Sequence, residues 1–315
     1  MNKAFAPAEH PALADARTRS TPVNAAWLDG PAREVAARFA GMSDLLEIEN
    51  QAAALLSATG WVREFLVPLA GALRADPWFE PPFKVSRDQL RTGAVLVDCP
   101  AVTIAATVTS AAVLNRLPAP RTIVVPSRIT VTRYVRGGNA MMRRWCTATA
   151  GAEFSAAAAP PVRETSARVL SDGDLFRQDG RSDTHLMVRA QSDIVALTAT
   201  IKPGASPLMR EYAIADGSFV RAASSDDMAS RIEMLLTFLR VSGRTDAGDV
   251  FDQASRHPAF HLRWASMREW LMLDAAGARE RLARMCGDDP NAEIRVAAGA
   301  TLAALDRRLG RPCPA

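Results

Sequence analysis

Three hydrophobic rhythms succeed one another along the chain. Between residues 31 and 75 apolar positions recur at helical spacing, as with Val35 and Phe39 in "AREVAARF". Pro31 suits a first helical turn, and Ser43 is a plausible cap for "DLLEIENQAAALLSA". "WVREFLVPLAGALRADP" predicts a further helix interrupted at Pro68, and the Pro-rich "DPWFEPPFK" closes the region. From about residue 92 to 220 the rhythm shortens. Runs such as "VTIAATV", "TIVVP", "RITVTRYVR" and "DIVALTATI" are rich in β-branched residues and separated by Gly, Pro, Asn and Asp. In "RITVTRYVRGGNAMMRRWCT", Gly137-Gly138-Asn139 accepts positive φ cheaply and predicts a hairpin. After 220 the helical period returns. Ser224 and Ser225 can cap a helix whose stripe is Met228, Ile232, Leu235, Leu236 and Leu239, with Gly243 beyond its end.

The last region contains a repeat. "HPAFHLRWASMREWLMLD" (257–274) aligns with "DPNAEIRVAAGATLAALD" (289–306) at an offset of 32 residues. Pro258 meets Pro290, Arg263 meets Arg295, Ala265 meets Ala297, and Asp274 meets Asp306. A helical unit recurring at such a period is the mark of a solenoid. The second copy, with Asp-Pro opening a helix, the Ile294-Arg295 pair, small Ala297 and Ala298, then Leu302 and Leu305, resembles the HEAT repeat family over residues 257–309. The resemblance implies a packing and protein-interaction surface and supplies no catalytic residue. In it Asp289 caps the helix and Pro290 opens its first turn. His257 then stands at a capping position and His261 in the first turn, so their spacing of four is not read as a metal-ligand pair. Trp264 and Trp270 are expected to join the repeat to the rest of the protein.

The β region carries the candidate chemistry. About nine short strands predict a sandwich, jelly roll or barrel and exclude a βαβ fold. In strand number and turn spacing the region is loosely similar to cupins, but it lacks the cluster of histidines that holds a cupin metal. His185 stands alone in it. On the strand at 128–136, Ile129, Val131, Arg133 and Val135 share one face. If that face lined the interior, Arg133 with Arg143 or Arg144 would hold a carboxylate or another anion. Glu211 and Tyr212 are the natural partners for such an arginine. A Cys99–His185 nucleophile pair is a weaker candidate.

Composition narrows the field. The 315 residues are 48% hydrophobic and 23% charged, with mean hydropathy −0.03 and a net charge of +4. Lysine occurs only at positions 3, 84 and 202, so the basic charge is arginine, and its weak excess argues against nucleic acid as a partner. Four dispersed cysteines (99, 146, 286, 313) form neither a disulfide framework nor a zinc module. No GxGxxG, P-loop or GxSxG is present. No apolar run has the length of a membrane span, and the start lacks a signal-peptide core, so a cytoplasmic protein with no membrane association is expected.

The expected chain is α+β. A flexible tail at 1–25 precedes an N-terminal helical segment at 26–80. A central antiparallel β domain of jelly-roll, cupin-like type follows at 85–220, then a HEAT-like helical domain at 224–309 and a tail at 310–315. The expected role is non-catalytic, with no cofactor or metal. The β domain would sense a small anionic ligand through Arg133, Arg143, Arg144, His185, Glu211 and Tyr212, and the helical domain would dock a protein partner. The alternative is a cupin-like enzyme acting on a small molecule in the β interior.

Overall fold

The computed structural model describes residues 11–151 and 153–308. It is an α+β protein in which antiparallel sheets lie between two sets of helices. At the N-terminus α1 (Pro11–Trp27), α2 (Arg33–Ala37), α3 (Leu45–Ser57) and α4 (Gly60–Ala75) form one group. Residues 11–25 therefore belong to a helix and not to the expected tail; residues 1–10 of that tail lie outside the described residues. The Ala/Thr/Arg composition of α1 gives no amphipathic signal, because its anchors lie far along the chain. Arg17 pairs with Glu80 and Arg19 with Asp76, while Ser20 Oγ accepts from the Glu80 N–H. Trp27 ends the helix in the core, its Nε1 donating to the Phe65 carbonyl at 2.8 Å.

Asp44, one residue beyond the expected Ser43, caps α3 by accepting from the Glu47 N–H. Ile48, Ala52, Leu55 and Leu56 recur at helical spacing and are buried. α4 runs through Pro68 without a break.

Twelve strands follow: β1 (Lys84–Arg87), β2 (Arg91–Asp98), β3 (Val102–Thr109), then the short α5 (Ala111–Leu114), β4 (Thr122–Val125), β5 (Ile129–Arg136), β6 (Met141–Cys146), β7 (Arg163–Val169), β8 (Leu175–Asp179), β9 (Asp183–Arg189), β10 (Ile194–Ile201), β11 (Leu208–Ala213) and β12 (Phe219–Ser224). A six-stranded sheet has the order β1-β2-β3-β10-β5-β8, and two three-stranded sheets have the orders β12-β11-β4 and β7-β6-β9. The two small sheets meet where Thr184 Oγ1 donates to the Val124 carbonyl. Tyr134, Phe176 and Ala196 of the large sheet pack with Met142 and Met187 of the β7-β6-β9 sheet, so these two layers face each other.

The Gly137-Gly138-Asn139 turn forms as expected, with φ of +60° at Gly138 and +48° at Asn139. It does not make a hairpin. β5 pairs with β10 and β8, whereas β6 pairs with β7 and β9, so the turn carries the chain from one sheet to the other. Gly138 is required for a second reason, since a Cβ there would sit 2.2 Å from the Ser192 carbonyl oxygen.

The C-terminal helices are α6 (Asp227–Val241), α7 (Gly248–Ala254), α8 (Phe260–Leu273), α9 (Ala275–Asp288) and α10 (Ala292–Arg308). Phe251, Met267, Trp270, Leu282, Met285 and Ile294 form their own core. The repeat is visible in its bonds. Arg263 Nη1 donates to the carbonyls of His257 and Pro258, and Arg295 Nη1, 32 positions later, donates to those of Asp289 and Pro290. The two units are joined by a buried, two-bond pair from Arg263 Nε and Nη2 to the Asp289 carboxylate at 2.8 and 2.7 Å.

The caps differ from expectation. Asp289 is occupied by Arg263 and the Asn291 N–H, so Asn291 caps α10 in its place by accepting from the Glu293 and Ile294 N–H groups. His257 lies before α8, whose cap position is Ala259, and its Nδ1 accepts from the Ala259 N–H. Asp226 rather than Ser224 or Ser225 caps α6.

Candidate functional site

The six residues expected to share a ligand pocket are dispersed over three sheets, and Arg133 is removed from the others by a face inversion on β5. The apolar face of β5 turns outward. Ile129 and Val131 pack with Leu197 and Ala199 against the N-terminal helices, in one core with Ile48, Leu55 and Phe65. Arg133 lies on that outward face, in register with Leu197 and Leu175, beside Gly173. The inter-sheet face is the polar one, with Thr130, Thr132 and Tyr134, and Thr132 Oγ1 lies 3.1 Å from Thr198 Oγ1 on β10. An apolar row on a strand predicts burial but does not say against what.

Arg143 and Arg144 point to opposite sides of β6. Arg143 lies over the Trp145 ring and binds Glu164 through two bonds of 2.8 and 2.7 Å. Arg144 faces the interior, directly across from His185 on β9, with its guanidinium carbon 5.0 Å from the centre of the Phe176 ring. Glu211 is on the other side of its sheet, where it accepts from Thr122 and Arg221. Tyr212 is fully buried and its hydroxyl accepts from Arg210 Nη1 at 3.0 Å. Of the six, only Arg144 and His185 are brought together. Cys99 lies with the helix-facing core and donates to the Val102 carbonyl, apart from His185.

His185 has a defined chemistry. Gln178 Nε2 donates to the Asp183 carbonyl, so its Oε1 is an acceptor and the His185 Nδ1 beside it carries the proton. Nε2 is left with the lone pair. Burial, followed by the positive charge of Arg91 and Arg144, pushes the imidazole pKa down to about 4. Phe176 closes against the ring edge at 5.6 Å. This corner holds a neutral histidine beside an arginine that has no carboxylate partner among the described residues. The described residues contain no cluster of three or more His, Cys, Asp or Glu able to hold a metal.

A larger site lies where the β12-β11-β4 sheet meets the C-terminal helices. A cleft of about 630 Å³ is lined by Phe154 from the loop after β6, Phe219 of β12, and Phe260 and Trp264 of α8. This volume suits a small organic molecule, and mostly apolar walls with a few polar groups are the usual character of such sites. The polar groups here include His261, Glu233, Arg268 and Asn291. Asn291 Nδ2 donates to the Phe154 carbonyl, and Glu293 accepts from the Ala156 N–H at 2.9 Å, so the first turn of α10 holds the loop that carries Phe154.

Ser224 Oγ donates to the Asp226 carbonyl, so the contact at 3.1 Å requires His261 Nε2 to donate to that hydroxyl. His261 Nδ1 is then a buried acceptor with no partner. Burial lowers the pKa of His261, opposed by Asp226 and reinforced by His257 and Arg263. The two tryptophans separate: Trp264 faces the sheet across the cleft, while Trp270 stacks on Phe251 inside the helical core. The signal available in the sequence was the pair Phe260 and Trp264 at helical spacing; their partners Phe154 and Phe219 are more than 40 residues away.

No family model and no curated protein matches the sequence. Similarity is found to solved structures. These include ectoine synthase from P. lautus, at 10% identity over 39% of this chain and 71% of that one, with a TM-score of 0.23. The capsular polysaccharide assembling protein CapF from Staphylococcus aureus matches at 9% identity over 47% and 36%, with a TM-score of 0.28. The 7S globulin of Momordica charantia matches at 12% identity over 42% and 35%, with a TM-score of 0.26. The match thus spans about a third of the length of the last two. These solved structures are cupin-like chains. No helix among the described residues is long and apolar enough to cross a membrane.

Proposed function

We propose that the protein is a ligand-binding interaction protein whose ligand sits in the cleft between the β12-β11-β4 sheet and the HEAT-like helices. The single observation that carries this reading is the convergence of Phe154, Phe219, Phe260 and Trp264 on one cavity of small-molecule size. The ligand class this supports is an apolar or aromatic body with a polar group reaching Arg268 or Glu233. A molecule there touches both the sheet and α8, and so couples the jelly-roll-like part to the helical part. The reading moves the ligand from the β interior to the junction of the small sheet with the helices.

The test uses anilinonaphthalene sulfonate as the probe, followed by its own emission and by tryptophan quenching. One bound probe per chain, lost in Trp264→Ala and in Ala222→Trp, which fills the cleft from an exposed strand position, supports the reading. Binding that is absent, or equal in wild type and both variants, overturns it.

A second reading is favoured by one observation. The Nε2 lone pair of a neutral His185 and the Arg144 guanidinium beside it offer one acceptor and one cation to a small hydroxylated anion between the sheets. In that reading the protein is a cupin-like enzyme, and activity on such an anion would disappear in His185→Gln while probe binding in the cleft persisted.

A further inference from the structure

The apolar residues of α6 are divided between the helical core and the surface. The buried positions of the helix are Ala229 and Leu236, with Ile232 and Leu239 partly covered. Met228 and Leu235 of the expected stripe are exposed, and Met234, Phe238 and Val241 join them, all five between 59% and 70% accessible. At 100° per residue these five fall on one side of the helix, around Arg231, with exposed Asp227 on the same side at its N-terminal edge. Arg231 is exposed and has no carboxylate partner among the described residues. Single exposed apolar residues need no explanation, but five on one helix face do.

We propose that this face binds a second copy of the same chain, the two α6 helices crossing antiparallel about a two-fold axis between Met234 and Leu235. A two-fold interface must be self-complementary, and this stripe is. In the antiparallel register Met234 faces Leu235, Met228 faces Val241, and Arg231 faces Phe238. Apolar groups thus meet apolar groups, and the one cation meets an aromatic ring, the arrangement in which a guanidinium is held without a carboxylate. The two helix dipoles oppose each other, which favours the pairing. Each of the five side chains leaves on the order of 100 Å² accessible, so the pair covers up to about 1,000 Å² in total, the size of a weak, transient interface. A reversible dimer of micromolar affinity is the matching expectation.

The experiment is sedimentation velocity on the full chain over a broad dilution series, with far-UV circular dichroism to check folding. Wild type is expected to shift from monomer to dimer as concentration rises. Phe238→Lys places a lysine opposite Arg231 and is expected to be monomeric at the highest concentration tested. Phe238→Lys combined with Arg231→Glu creates two symmetric ion pairs across the axis and is expected to restore the dimer. A wild type that stays monomeric overturns the proposal and leaves the face to a terminal segment of the chain or a different protein. A dimer indifferent to Phe238→Lys, or lost in that variant and not restored in the double, also overturns it.

Discussion

Asp289 is the residue whose removal should cost the helical domain most for the fewest atoms. Its carboxylate is wholly buried and accepts three bonds, two from Arg263 and one from the Asn291 N–H. Asp289→Ala leaves Arg263 as a buried cation with only the His257 and Pro258 carbonyls, and frees the N–H of the residue that caps α10. Breaking one side of a buried ion pair costs about 3–5 kcal/mol. For a chain of this size that lowers the midpoint of thermal unfolding by on the order of 10 °C.

The measurement is urea unfolding followed by circular dichroism, wild type against variant, at several pH values. Burial raises the Asp289 pKa, but the bonds from Arg263 and Asn291 outweigh it and the net direction is down. A carboxylate with a depressed folded-state pKa contributes its stabilisation in full above the unfolded value, near 4, and loses it as pH falls through the lower folded value. The gap between wild type and Asp289→Ala should therefore be full at neutral pH and close below about pH 4. A gap under about 1 kcal/mol at pH 7, or one unchanged at pH 3, refutes the assignment of the pair as the joint between the two repeat units.

Two further outcomes follow from the β region. His185 is held neutral in the fold with a pKa of about 4, whereas an unfolded histidine titrates near 6.5. Between those values the unfolded chain binds more protons, so stability should fall on acidification from about pH 6.5 to 4, and that slope should flatten in His185→Gln. Gly138→Ala brings a Cβ against the Ser192 carbonyl at a positive φ; a loss exceeding about 1–2 kcal/mol in urea unfolding is expected, and a variant as stable as wild type would contradict the sheet-switching geometry of the turn.

The order of helices, strands and helices could be read from hydrophobic period alone, and so could the repeat, whose Arg263 and Arg295 make equivalent bonds. What could not be read was partnership. α1 is held by Asp76 and Glu80, about 60 residues away, so its own composition looked like that of a tail. Period gives a face and not its neighbour. The apolar row of β5 packs on α3 outside the sandwich, and the stripe of α6 divides, with Leu236 in the helical core and Met228 and Leu235 at the surface. That Arg143 and Arg144 lie on opposite sides of a strand follows from their adjacency, but that Glu211 and Tyr212 belong to a different sheet from both does not.

The helices on the outer face of the large sheet alter what its inner face is free to become. In a sandwich stabilised only by contact between its sheets, a polar substitution on an inner face weakens the fold directly. Here Val131, Leu197, Ala199 and Ile201 are covered by the N-terminal helices, so much of the apolar burial of that sheet lies outside the sandwich. Thr130, Thr198 and Thr200, on the inner face, are only partly buried. These threonine positions can therefore exchange for a catalytic or binding group at less cost than Tyr134 and Phe176, which pack against the facing sheet. A lineage built this way can change its chemistry between the sheets without first having to re-evolve its stability.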